Sequence, residues 1–291
     1  MNNISKRVIA SLLVKDGLLV QSVNFKKFLP IGKPNFTIDL ISRWDIDEIF
    51  LLNISKDREN KQFENSFIKQ FAKKCFVPLT IGGGVKSINY AKKIISCGAD
   101  KILINSSSIE NPKIIGQLSK IFGSQCVVVG IDIKKINGIF YIFQNSGKIQ
   151  TSLELNNWMT RIQNEGAGEI LINSIDCDGS KLGFDLSILD SIRSKIQIPI
   201  VLQGGAGIPS HIHKALQHKK LSGCAIGNMF HFTEHSTIIT KSYLHRKKLN
   251  IRFDNLYNYS DKKIDLYGRV QPLKYEKLIN IKSKPSQKHL V

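Results

Sequence analysis

Eight short β-branched runs, each followed by a segment of helical periodicity, predict an α/β fold, and their number predicts a (β/α)8 TIM barrel. Two further observations support this. The halves of the chain echo each other at a spacing of about 121 residues, and glycine clusters stand just past the third and seventh runs. The 291 residues, 42% of them hydrophobic, suffice for one large barrel.

The runs span residues 8–14, 48–52, 78–81, 101–105, 126–132, 169–173, 199–203 and 223–227, and they are apolar on both faces, as buried parallel strands must be. Segments such as 87–97 and 152–164 carry the helical period. The fifth unit departs from the pattern. Its 134–151 segment holds an Asn137-Gly138 turn signal and the run Ile139-Phe140-Tyr141-Ile142-Phe143, which predicts a hairpin inserted before the helix.

The repeat pairs Glu48-Ile49-Phe50-Leu51-Leu52-Asn53 with Glu169-Ile170-Leu171-Ile172-Asn173-Ser174, and Gly82-Gly83-Gly84 with Gly204-Gly205-Ala206-Gly207. Asn105-Ser106 answers Gly227-Asn228. Glycines past a strand let backbone N–H groups approach a phosphate, and a following helix start adds a favourable dipole. Gly83, Gly84, Asn105, Gly204, Gly205, Gly227 and Asn228 are therefore candidate phosphate-binding positions, on opposite sides of the barrel mouth. A phosphorylated small molecule is the ligand they suit.

The net charge of +19 attracts acidic ligands or partners, but Lys and Arg are spread along the chain without a nucleic-acid motif, so nucleic acid is not expected as a partner. No apolar run is long enough to span a bilayer, the amino terminus does not read as a signal peptide, and a cytoplasmic location is expected. Cys75, Cys97, Cys126, Cys177 and Cys224 form no CxxC pair and are read as reduced, mostly buried residues. His211 and His213 form an H-x-H pair with no third ligand at metal spacing and are read as solvent-facing helix residues, so neither metal nor cofactor is expected. Residues 1–253 read as the barrel and 254–291 as a basic, mobile extension with Pro272 and Pro285, suited to an acidic partner, to an anionic membrane surface or to no function at all.

These motifs carry a resemblance. Lys6-Arg7-Val8-Ile9, Gly83-Gly84-Val85-Lys86-Ser87, Gly98-Ala99-Asp100-Lys101-Ile102, Val129-Gly130-Ile131-Asp132, Gly166-Ala167-Gly168-Glu169-Ile170, Asp176-Cys177-Asp178-Gly179 and Gly204-Gly205-Ala206-Gly207 together resemble the cyclase subunit of imidazole glycerol phosphate synthase, over about residues 4–253. The resemblance implies two aspartates acting as general acid and base at the ends of the first and fifth strands. The second falls at Asp132; the first position holds Leu13, which cannot move a proton. Gln21 and Asn53 stand where the family has a lysine and an aspartate. Asp132 therefore reads either as a retained catalytic group or as a strand-end residue held by backbone N–H groups. Asp176, Asp178 and Gly179 fall in the family's substrate loop, or in an Asx turn.

The resemblance further implies a ring of alternating charge at the opposite face, where ammonia enters from a glutaminase; its positions are Arg7, Glu48, Lys101 and Glu169. They read as an ammonia gate or as charged caps of the barrel floor. Leu13, Val23-Asn24-Phe25-Lys26 and Gly227-Asn228-Met229-Phe230 are similar to a side branch associated with acetamidino sugars of surface polysaccharides. In that branch the barrel conducts ammonia from a separate glutaminase to a separate ATP-dependent sugar amidotransferase. Leu13 suits passive conduction, because an acid in the path would trap ammonia as ammonium. Three functions remain open on the sequence: an ammonia-conducting subunit for sugar amidination, an active cyclase of histidine synthesis, and a basic binding protein.

Overall fold

The computed structural model describes residues 5–56, 62–193, 195–232, 235–253, 259, 262–265, 267 and 269–271. Eight parallel strands close the barrel: β1 (Arg7–Lys15), β4 (Glu48–Asn53), β5 (Leu79–Gly82), β6 (Lys101–Ile104), β7 (Val127–Ile136), β10 (Glu169–Ser174), β11 (Ile200–Gln203) and β12 (Gly223–Ile226). Each pairs with the next, and β12 returns to β1 through Arg7↔Gly223 and Ala10↔Ile226. All eight expected runs are strands, with ends displaced by a few residues. The fifth runs furthest past its expected limit, to Ile136, because it continues into its hairpin with β8 (Ile139–Gln144) and β9 (Ile149–Gln150).

A second hairpin, β2 (Leu18–Val23) and β3 (Lys27–Gly32), rises from the first strand and was not read from the sequence. Asp16 and Gly17, which turn β1 into β2, both adopt positive φ, the conformation of a two-residue hairpin turn that Asp-Gly favours, and Asn24 and Phe25, also at positive φ, turn β2 into β3.

The helices are α1 (Pro34–Arg43), α2 (Asn65–Lys73), α3 (Ile88–Ser96), α4 (Ser106–Glu110), α5 (Lys113–Phe122), α6 (Leu155–Asn164), α7 (Ser187–Ser191), α8 (Pro209–Leu216) and α9 (Ser236–Arg246). Outward strand residues and the inner helix faces form the main core, in which Phe71 and Trp158 are fully buried. Inward residues form a separate apolar plug of Ile9, Phe50, Leu103, Val128, Leu171, Val201 and Ala225. α9 is buried nearly all round, and its Lys241 reaches Asp45 at 3.4 Å and Asp47 at 2.8 Å.

Much of the 254–291 extension lies outside the described residues. Of those described, Tyr259 N donates to Ser242 Oγ, its hydroxyl lies 2.7 Å from His235 Nδ1, and Ile264 bridges Val270. Among the described residues no helix is long and apolar enough to cross a membrane.

Candidate functional site

At the N-terminal face four strands bring together residues up to 162 positions apart. Arg7 Nη1 donates to Glu48 Oε2 at 2.8 Å and Arg7 Nη2 donates to Glu169 Oε1. Lys101 Nζ donates to Glu48 Oε1 at 2.8 Å and to Glu169 Oε2 at 3.0 Å, and Thr80 Oγ1 adds a bond to Glu48. The ring is closed: each cation touches both carboxylates. Burial alone lowers the Arg7 pKa, but the hydrogen bonds and charges of Glu169 and Glu48 outweigh it and hold it above its ordinary value. The carboxylates are almost fully buried, whereas Arg7 and Lys101 keep contact with solvent.

Directly above the ring sits the apolar plug, and beyond it the strand ends form the mouth. Leu13 pairs with Val20 and Leu52 and lines a cavity of about 30 Å³ with Ser11, Asp178, Gly179, Gln203–Ala206 and Ala225–Asn228. Asp132 stands on the fifth of eight barrel strands, across the mouth from Leu13 on the first. It is 8% exposed, and its Oδ2 accepts from Asn105 Nδ2 at 2.8 Å. Asn53 Oδ1 accepts from Ser55 N, and Gln21 pairs across its hairpin with Leu29.

The two glycine loops are related by the repeat in space as well as in sequence. A Cβ on Gly83 would lie 2.1 Å from Asn53 O, and one on Gly204 would lie 2.7 Å from Ser174 O, so each loop folds back on the second strand of its own half. Gly84 and Gly205 also have positive φ. Beyond the first loop, Ser87 caps α3 by accepting from Tyr90 N; α8 begins after the second with Pro209 at its first turn.

Not all expected phosphate positions are alike. Asn228 Nδ2 donates to Ser22 O at 2.7 Å and its Oδ1 accepts from Ser22 N at 3.1 Å, so the amide is clamped on β2, and Asn105 is engaged by Asp132. Gly227 lies against Ser11 O.

The loop after β10 clasps both hairpins. Asp176 Oδ2 accepts from Lys135 N at 2.7 Å on the fifth-unit hairpin. Asp178 Oδ2 accepts from Ser22 Oγ at 2.6 Å and from Phe25 N at 3.1 Å at the tip of the first, and a Cβ on Gly179 would strike Ser22 O at 2.4 Å. Burial raises the Asp178 pKa against the lowering effect of its two hydrogen bonds. Ser22, absent from the sequence reading, is thus central to the mouth; no spacing rule links it to a partner 156 positions away.

His211 and His213 are half-buried on α8, in part solvent-facing and in part packed. Gly207 N donates to His211 Nδ1, and the His213 ring meets Tyr243 edge-on, because α9 packs over this end of α8. Of the free cysteines only Cys97 and Cys224 are buried; the other three are half-buried, so they are less enclosed than expected. Among the described residues no group of three or more His, Cys, Asp or Glu could hold a metal ion.

Residues 7–236 match the family model described as "Histidine biosynthesis protein". The chain is 34% identical over 263 residues to the "Putative imidazole glycerol phosphate synthase subunit hisF2" of Vibrio vulnificus, covering 90% of this chain and 97% of that one. It is 38% identical over 251 residues to "Imidazole glycerol phosphate synthase subunit HisF" of Clostridium botulinum, covering 86% and 99%, and 35% identical over 250 residues to the subunit of the same name in a Hydrogenobaculum species. None of these names mentions a sugar or a polysaccharide. The extent of these matches, over a closed eight-stranded barrel, shows that the chain belongs to the histidine-biosynthesis family of barrels that includes imidazole glycerol phosphate synthase subunit HisF.

Proposed function

We propose that this chain is the barrel subunit of a glutamine-dependent amidotransferase of the imidazole glycerol phosphate synthase type, taking ammonia from a separate glutaminase at its N-terminal face. The observation that carries this is the closed ring of Arg7, Glu48, Lys101 and Glu169 beneath an apolar lumen that opens between two glycine loops. A neutral molecule crosses such a lumen at little desolvation cost, whereas an ion does not. The glycine loops suit a phosphorylated ligand at the mouth, and the complex works in the cytoplasm.

For the reaction at the mouth, the names of the relatives favour ring closure of a formimino-ribulotide over the amidination of a surface sugar. In the cyclase reading Asp132, held by Asn105, is the acid–base group, and catalysis proceeds with one carboxylate where two divide the work. A second reading rests on Leu13: the barrel passes ammonia on to a separate ATP-dependent sugar amidotransferase and performs no chemistry of its own. Turnover of the ribulotide by the purified chain with excess ammonium salt at alkaline pH, which bypasses the glutaminase, decides between them. Product formation establishes the cyclase; no product, from a chain that still stimulates a glutaminase, establishes the conduit; failure of both removes the proposal.

A further inference from the structure

The outer face of a barrel helix meets water and is ordinarily polar. Two neighbouring helices obey this: α2 exposes Ser66, Lys69 and Lys73, and α3 exposes Asn89, Lys92 and Lys93. α1 does not. It buries Pro34, Ile38 and Ile41 against the core and turns Phe36 and Leu40, one turn apart, to the outside, where they are 73% and 49% exposed.

This apolar face continues beyond both ends of the helix. β3, an edge strand paired only with β2 among the described residues, runs into α1 through Gly32 and Lys33 and exposes Leu29 and Ile31. At the other end Arg43, on the same side of α1 as Leu40, lies 5.1 Å over the ring of Phe76, which is 63% exposed. Five of the twelve large apolar side chains exposed among the described residues thus share one flank of the barrel, from the mouth hairpin down to the floor. Exposed apolar residues scattered singly need no explanation, but a continuous stripe does. The same stretch is basic. Its cations are Lys26, Lys27, Lys33 and Arg43, all exposed, and the one acid of residues 26–43, Asp39, is already paired with Arg43.

We propose that this flank is a membrane-docking face, by which the barrel lies on the surface of an anionic bilayer without crossing it. Phenylalanine, leucine and isoleucine side chains sink into the boundary between headgroups and acyl chains, while lysines beside them keep their charge among the lipid phosphates. Charge selects this occupant. The surplus of +19 is spread along the whole chain, so an extended sheet of negative charge engages more of it than a local acidic patch on a protein, and a second copy of the chain, equally cationic, is repelled. Contact stays at the surface, since among the described residues no helix is long and apolar enough to cross. Docking by the flank leaves both ends of the barrel free, the mouth for a ligand and the floor for a glutaminase. It is compatible with the proposed function and does not depend on it.

The test is flotation of the full chain with vesicles of phosphatidylglycerol and phosphatidylcholine in equal parts, beside vesicles of phosphatidylcholine alone. The chain is expected to float with the anionic vesicles and not with the neutral ones, and to be largely released by potassium chloride at about 1 M, where the Debye length falls to about 3 Å. Phe36→Ser with Leu40→Ser is expected to lower the partition coefficient by about tenfold or more, because two apolar side chains leave the interface. Ile139→Ser removes a comparably exposed apolar side chain, 58% exposed, from the fifth-unit hairpin and is expected to leave partitioning unchanged. Phe36→Trp gives a readout that needs no loss of binding: its added emission is expected to shift to the blue on anionic vesicles, and no shift overturns the placement. No flotation with anionic vesicles overturns the proposal and leaves the flank to a protein partner. Flotation that the double variant leaves unchanged also overturns it, since charge alone, from the basic extension or elsewhere, then accounts for the binding.

Discussion

Leu13 faces the cavity from the first strand while Asp132, bonded to Asn105, stands across the mouth on the fifth, and a single substitution tests what the pair does. Leu13→Asp is expected to raise cyclase turnover with ammonium salt by about 10²-fold, the low end of what one positioned acid or base supplies, because Gln21 and Asn53 remain neutral. A product assay with unaltered chain alongside checks it; an unchanged rate would leave Leu13 without a catalytic meaning. His231 offers a second test. Burial depresses its pKa to about 4, so the folded chain binds fewer protons than the unfolded chain between that value and the ordinary 6.5. Stability is therefore lost as pH falls through this window, by at most about 3 kcal/mol. His231→Gln should flatten urea-denaturation midpoints between pH 6.5 and 4.

At the scale of elements, the loop after β10 and the hairpin β2–β3 depend on Asp178. Its raised pKa means that the fold favours the protonated form: the stabilisation is complete below the ordinary carboxylate pKa and is lost as pH rises through the raised value. Asp178→Asn keeps an oxygen acceptor for Ser22 Oγ and Phe25 N and removes the buried charge. Its melting temperature at pH 7 is expected to be no lower than that of the unaltered chain, and to lose its dependence on pH just above the carboxylate range. The barrel strands themselves were legible because two-faced apolar runs have few other places to go. Their ends were less so, since the last paired residue depends on register with a neighbour far away in sequence. The turn from β1 into β2 is legible in Asp16-Gly17, whereas the β2–β3 turn at Asn24 and Phe25 carries no such dipeptide; the clasp from Asp178 to Ser22 is not legible at all, because both residues serve equally in ordinary turns.

On the scale of the whole molecule, the floor of the barrel depends on charge balance. Arg7→Met leaves Glu48 and Glu169 sharing Lys101 alone, and breaking a buried ion network in this way is expected to cost about 3–5 kcal/mol in urea denaturation. The double variant Arg7→Met with Glu169→Met removes one charge of each sign and should recover much of that loss. The ring was legible as four residue types at strand starts, and the repeat as two similar strings. The buried oxygens of Ser11, Asn173 and Gln203 were not, because alternation tells which residues face the lumen but not which of their atoms lack a partner among the described residues.

The loop that carries Asp176 and Asp178 has one further consequence. Two flaps from opposite halves of the barrel are fastened by side chains two positions apart on one short stretch of backbone, so the fastenings act in series and not independently. A bulky ligand that reaches the cavity by lifting either flap must tug the same stretch and loosen the other. Opening at the mouth would therefore strain both clasps together, while a small molecule entering from the N-terminal face would lift neither.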